Sequence, residues 1–287
     1  MEAAFAELPL ALFTTLAPLG AGAFIALALA FFTTKFTDEQ LKKIDRMTLI
    51  PLVVVLVGFA ASFFHLASPM HAVGVLAGIG SSPLSNEILV GSIFVVLAVV
   101  YVVVALAGKL AGGARKGFAV VVAVAAAVFA CFIGAAYLME TIASWNTPLV
   151  IVQLVGFALV GGMPLGTLVL GLAGSLNDAL KGSFKMAALV VVVVGALLAV
   201  GGFCAQVMGV GSMANPLVAG SDLVAAATMY LVVAVICLVL AAAANVAALL
   251  GKSSVVLAGL AVVLAVVGIF IARLVFYAVQ LSVGLSF

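Results

Sequence analysis

Thr33-Thr34-Lys35-Phe36-Thr37-Asp38-Glu39-Gln40-Leu41-Lys42-Lys43-Ile44-Asp45-Arg46 is a charged stretch set between two long apolar runs. It holds Lys35, Lys42, Lys43 and Arg46, four of the chain's 11 lysines and arginines. The run before it covers residues 8–32 and the run after it residues 47–66. A segment of roughly 20 apolar residues is what a helix needs to cross the hydrocarbon core of a bilayer. The same alternation continues along the sequence. Lys109, Arg115 and Lys116 follow the third apolar run, Lys181 and Lys185 the fifth, and Lys252 the seventh. The eleventh basic residue, Arg273, stands at the far end of the last run. The opposite connections carry acids instead: Glu2, Glu7, Glu87, Glu140 and Asp222. Lys and Arg in short loops are retained on the cytoplasmic side of a membrane. The chain therefore reads as an all-α polytopic protein of the cytoplasmic (cell) membrane, with eight transmembrane helices and both termini outside.

Composition excludes the soluble classes. Of 287 residues, 68% are hydrophobic and 7% charged, with a mean hydropathy of +1.51. A soluble fold needs more charge to face water. Eight spans and short loops use nearly the whole length, so residues 1–287 form one integral membrane domain. Soluble cofactor chemistry would belong to a partner. The net charge of +2 reflects the inner loops and does not point to nucleic acid. The start, Met1-Glu2 with Glu7 following, lacks the basic opening of a signal peptide, so the first run is expected to be a retained helix. Cys131, Cys204 and Cys237 fall in different spans without metal-ligand spacing and read as small buried apolar residues.

The spans are expected at 8–32, 47–66, 86–107, 118–139, 148–174, 184–206, 223–250 and 255–275. Thr37 to Gln40 reads as a capping box, so the second helix is expected to begin early, at Asp38, and run on to Leu66. Gly162 and Gly166 form a small-xxx-small pair that lets two backbones approach, and Pro164 between them removes one ladder hydrogen bond. Short loops make neighbours antiparallel, which allows spans 1–4 and 5–8 to form two four-helix units.

The connection between spans 2 and 3 holds both histidines, His65 and His71. Ser68-Pro69 is an N-cap followed by a favoured first helical residue, and an interfacial helix over 69–77 is expected. Ser85 or Asn86 is the expected cap of the third span, which puts Glu87 in its first turn. There the helix dipole favours the carboxylate and desolvation opposes it. His65 needs little tuning to exchange protons near neutral pH. Each of these residues also has a plain structural reading, as a cap, a first-turn acid or a solvent-facing loop residue. Arg273 is different, because a guanidinium keeps its charge and near a membrane must find a partner or water. Glu87, Glu140 and Asp222 are the outer carboxylates between spans, and Tyr277 lies one helical turn beyond Arg273.

Phe64-His65-Leu66-Ala67-Ser68-Pro69-Met70, Leu84-Ser85-Asn86-Glu87-Ile88 and Gly91-Ser92-Ile93-Phe94 resemble the membrane-anchor subunit of anaerobic dimethyl sulfoxide reductase (the DmsC family). So do Leu8-Pro9-Leu10 with Phe13-Thr14, Trp145 with Thr147-Pro148, and Arg273 with Val275-Phe276-Tyr277 and Val283-Gly284. The resemblance covers essentially the whole sequence. It implies a subunit that anchors a molybdopterin catalytic subunit and an iron–sulfur subunit and oxidises menaquinol in anaerobic respiration. His65 and Glu87 match the family's quinol-site positions, and Arg273 matches a supporting one. The span interiors depart from the family in being unusually rich in Ala and Val.

Quinol oxidation releases two electrons and two protons. His65 and Glu87 are the expected proton acceptors, with Arg273, Tyr277, Ser68 and His71 in supporting positions. A transmembrane haem relay needs axial ligands, usually histidines, within facing spans. The two histidines here both lie near the outer surface, so no haem or metal is expected in this protein. The partner subunits are expected on the outer face, the iron–sulfur clusters and molybdopterin within them. Three other readings stand beside this one: the anchor of a polysulfide or tetrathionate reductase, a secondary transporter, and a purely structural anchor.

Overall fold

The computed structural model describes residues 2–64, 74–75, 77–251 and 254–283, with side chains from residue 4. His65, Ser68, His71 and most of the expected helix at 69–77 lie outside the described residues. The described part is helical: α1 (Glu2–Ala6), α2 (Leu8–Thr33), α3 (Asp38–Met47), α4 (Leu49–Phe63), α5 (Pro83–Leu106), α6 (Gly112–Ala135), α7 (Leu149–Leu172), α8 (Leu176–Lys181), α9 (Phe184–Gly211), α10 (Gly220–Leu249) and α11 (Ser254–Ala278). Eight helical segments are long and apolar enough to cross a membrane, α3 and α4 counting as one. This is the architecture of a multi-pass membrane protein.

Local chemistry explains where the helices start and stop. The capping box at Thr37 is present, the Gln40 amide N–H donating to the Thr37 hydroxyl and the Thr37 N–H to the Gln40 side chain. The second helix does not run unbroken to Leu66. It is interrupted at Thr48 and ends at Phe63. Span 3 is capped by Ser82, not by Ser85 or Asn86, because Pro83 suits the first helical position and the Ser82 hydroxyl accepts from the Ser85 N–H. Glu87 consequently sits in the second turn, past the strongest part of the helix dipole. Span 4 starts six residues early, at Gly112, so Arg115 and Lys116 are helical and not in a loop.

Two spans occupy the middle of the bundle. The apolar windows of α2 and α7 are 78% and 72% buried, against 17–39% for the other six spans. α4 and α6 pack on α2 and α5 on α6; α9 and α11 pack on α7, and α10 on α11 and α9; the two halves of the sequence meet chiefly where α2 and α7 touch. Glycine makes that contact possible. A Cβ on Gly22 would lie 1.7 Å from the Ala158 carbonyl oxygen, and one on Gly162 would lie 2.2 Å from the Gly22 backbone. Between helices surrounded by lipid, such close backbone packing is a main attractive force. α7 continues through Pro164 without interruption.

The end of the bundle that carries most lysines is held by ion pairs. Arg115 of α6 meets Asp45 of α3 with both side chains buried, and Arg115 Nη2 also donates to Asp45 Oδ2 at 3.0 Å. Asp178 on α8 accepts from Lys181 Nζ (2.8 Å) and from the Gln40 side chain (2.6 Å), which ties α8 to α3. Those two contacts hold the Asp178 carboxyl below its usual range, Lys181 contributing most.

Replacing Gly22 with Ala should lower unfolding stability by about 3 kcal/mol or more, because rigid backbone opposes the new methyl group. Gly259→Ala, where the Cβ meets nothing within 4 Å, should cost nothing and serves as the control. Thermal unfolding of both variants in detergent checks the contrast.

Candidate functional site

At the other end of the bundle, polar groups from four parts of the sequence converge inside an apolar surround. Arg273, five residues before the end of α11, is 0% exposed. Its Nε donates to the Thr14 hydroxyl of α2 at 2.9 Å, and its Nη2 donates to the Tyr277 hydroxyl one turn on, at 3.1 Å. The Tyr277 hydroxyl lies 2.6 Å from that of Tyr137, just past the end of α6. Among the described residues Arg273 makes no ion pair with Glu87, Glu140 or Asp222, the partners its position suggested. Aromatic faces surround it instead, with the Phe276 ring at 3.9 Å, Tyr137 at 4.8 Å and Tyr277 at 5.0 Å. A desolvated cation over a ring face gains about 2 kcal/mol or more.

The aromatic wall is itself braced. Trp145 stacks on Phe276 at 5.2 Å, and its indole N–H donates to the Phe276 carbonyl at 3.3 Å. Trp145 also meets Tyr137 edge to face at 5.4 Å. Behind this wall, Gln153 of α7 and Gln206 of α9 are joined at 2.5 Å, and Gln206 donates to the Ser144 carbonyl at 2.9 Å. The Leu281 N–H donates to the Ser144 hydroxyl at 2.8 Å, which fastens the C-terminal segment to the connection between α6 and α7.

Glu87 of α5 is 6% exposed and approaches this cluster from the first half of the sequence. Its carboxylate lies within electrostatic range of both Arg273 and Tyr137. Glu87 Oε1 and Arg273 Nη1 are both buried, and neither has a hydrogen-bond partner among the described residues. One turn along α5 from Glu87, Gly91 leaves room for the rings of Phe59 and Phe129, which would lie within 2.9 Å of a Cβ there. Those two rings stack at 5.4 Å, and Phe13, the neighbour of Thr14, packs on Phe59 at 5.5 Å. Packed aromatic rings thus lie next to the Glu87 carboxyl.

Of the residues that sequence reading singled out, the structure brings Glu87, Arg273 and Tyr277 to one end of the bundle, while His65, Ser68 and His71 lie outside the described residues. Sequence reading did not single out Tyr137 or the pairing of Thr14 with Arg273. Phe13-Thr14 and Trp145 were visible only as parts of a family resemblance, with no role attached. An open cleft of about 780 Å³ lies at the opposite end of α2 among Lys35, Lys43, Lys181, Glu39 and Asp178. It is charged and wet and does not fit an apolar ring. Among the described residues no cluster of three or more His, Cys, Asp or Glu is placed to hold a metal ion.

Comparison with known proteins points in one direction. The family model described as the DMSO reductase anchor subunit (DmsC) matches residues 1–279. The sequence is 31% identical over 165 residues to the C chain of the anaerobic dimethyl sulfoxide reductase of Haemophilus influenzae, covering 58% of this protein and 59% of that one. It is 34% identical over 181 residues to the C chain of the Escherichia coli K12 enzyme, with 61% of each covered. It is 33% identical over 140 residues to the YnfH chain of anaerobic dimethyl sulfoxide reductase in Escherichia coli K12, with 49% of each covered. The matched stretches thus span between about half and three fifths of these curated relatives.

Thr14→Val should leave the Arg273 Nε–H unmet in an apolar surround. A stability loss of about 1–3 kcal/mol is expected, read as a lower midpoint in thermal unfolding of the purified protein in detergent.

Proposed function

This chain belongs to the family of dimethyl sulfoxide reductase anchor subunits, and from that premise we propose that it oxidises menaquinol between Glu87 and Arg273. The observation that carries this reading is a buried carboxyl and a buried guanidinium, each holding a polar atom with no partner among the described residues. A direct ion pair would have satisfied both atoms, as Arg115 and Asp45 do at the other end. Left apart, they flank a place for a ring that gives a proton to one side and develops negative charge on the other.

Menaquinol loses two protons and two electrons and becomes menaquinone. Glu87 accepts the proton of one ring hydroxyl. His65, which matches the family's quinol position, accepts the other, with Ser68 and His71 in support. Arg273 faces the ring oxygen on which charge develops, and Tyr277 supports it by accepting from the guanidinium. Fixed donors of this kind in a water-poor site act strongly and need no rearrangement. The two electrons pass to the iron–sulfur clusters of a partner subunit, and a molybdopterin subunit carries out the terminal reduction.

Topology supports an outer site. The Glu87–Arg273 cluster lies at the end of the bundle opposite Lys35, Lys181 and the Asp45–Arg115 pair. With the basic loops on the cytoplasmic side, the quinol site and both termini face outward, and the partners dock on that face of the cytoplasmic membrane.

Glu87→Gln should lower quinol-dependent turnover of the assembled complex by about 10² or more, since a proton acceptor in the transition state contributes 10²–10⁴. Dimethyl sulfoxide reduction with 2-methyl-1,4-naphthoquinol as donor measures it, and unchanged turnover would mean a purely structural anchor. Orientation has its own test. In a background with the three native cysteines replaced by Ala, Lys109→Cys should react with an impermeant thiol reagent only after cells are opened. Asn215→Cys should react in cells whose inner membrane is intact.

A further inference from the structure

We propose that the Tyr137 hydroxyl donates the hydrogen bond to the quinone oxygen that faces Arg273, a role that rests on the quinol reading above and adds a donor to it. A phenol has one proton to donate and two lone pairs to accept. Tyr277 already accepts from Arg273 Nη2 at 3.1 Å, and its remaining contact is the 2.6 Å bond to Tyr137. Two hydroxyls bonded to each other consume one of their two protons and leave one over. The geometry allows either hydroxyl to donate within the pair; because the Arg273 Nη2 donation polarises the Tyr277 O–H, we assign that donation to Tyr277. The spare proton then belongs to Tyr137.

Among the described residues nothing accepts that proton. Trp145 presents an N–H, which is itself a donor and is bonded to the Phe276 carbonyl. Both tyrosines are buried, Tyr137 at 8% exposure and Tyr277 at 1%. Native proteins seldom leave a buried donor unmet, so the pair calls for an oxygen that brings lone pairs. Arg273 Nη1 has the same need. The Glu87 carboxyl comes near both groups, and its Oε1 is likewise without a partner among the described residues, so the acceptor belongs on its side of the cluster. A quinone carbonyl, or a quinol oxygen that has given up its proton, has that chemistry. The Tyr137 ring is fixed edge to face against Trp145 and Phe276, with centroids at 5.4 and 4.9 Å, so its hydroxyl is aimed in advance.

Trp145 is the protein's single tryptophan and touches Tyr137, so its fluorescence reports the site. The test titrates the purified full-length protein, in lipid nanodiscs, with 2-methyl-1,4-naphthoquinone and reads a Kd from quenching. Tyr137→Phe keeps the ring and removes the donor. The expected result is a Kd about tenfold weaker, the size of one hydrogen bond. Tyr277→Phe frees the Tyr137 hydroxyl to wander and should weaken Kd by about threefold. Glu87→Gln should leave Kd within about twofold, because the oxidised ring has no proton for Glu87 to take, while abolishing quinol turnover in the assembled complex. An unchanged Kd in Tyr137→Phe, with Glu87→Gln inactive, overturns the role of Tyr137 and leaves the quinol site standing. Absence of saturable quenching in the wild-type protein overturns it too, and with an active Glu87→Gln takes the quinol reading with it. Should Tyr137→Phe fail to fold, an unchanged Kd in Tyr277→Phe overturns the proposal.

Discussion

A guanidinium that cannot lose its proton, placed at 0% exposure near the end of a membrane span, governs how this bundle closes. Moving such a charge out of water is expensive unless its donors are met and its field is balanced. The fold meets that demand from widely separated parts of the sequence. Thr14 comes from the first span, Tyr277 and Phe276 from the last, and Tyr137 and Trp145 from the region between spans 4 and 5. Burying one cation therefore draws the two ends of the sequence and its middle together. The stack of Trp145, Phe276 and Arg273 is the product.

The two buried arginines among the described residues are handled in opposite ways. Arg115 meets Asp45 directly, so charge cancels charge and the contact joins α6 to α3. Arg273 meets hydroxyls and ring faces and no carboxylate among the described residues; each arginine keeps one nitrogen without a partner there, Nε in Arg115 and Nη1 in Arg273. The difference cannot be traced to burial, because both side chains are buried. It lies in whether a carboxylate was allowed to close the contact. At Arg273 no hydrogen bond or ion pair joins the guanidinium to the Glu87 carboxyl among the described residues, and on the proposed reading substrate completes the set.

Apolar run length made the eight spans legible, because the bilayer admits few alternatives to a helix of that length. Their ends were less legible. Gly112 begins α6 six residues before the expected start, and Ser82-Pro83 takes the cap that Ser85 and Asn86 seemed to offer. In both places, small or polar residues fit a helix end and a loop equally well, and packing decides. Glu87, Arg273 and Tyr277 stood out because ionisable groups are rare near the outer ends of such spans. Tyr137 did not, since a tyrosine near a membrane surface is ordinary. Only the fold shows that it faces Tyr277 across 140 positions of sequence. Asp45 and Arg115 stayed hidden for the same reason, each resembling a solvated inner-loop charge until the fold joins them.

The position of the polar cluster within the fold carries a mechanical consequence. α2 and α5 come from the first half of the sequence, and α11, which packs on α7 and on α2, from the second. Thr14 and Glu87 therefore sit on one half, Arg273 and Tyr277 on the other, and Tyr137 at the start of the connection between them. The Gly22–Gly162 contact sets the spacing of the two halves backbone to backbone, where no side chain can yield. Glycine at the central crossing thus fixes a frame on whose outer seam a buried carboxyl and a buried guanidinium each keep an open valence.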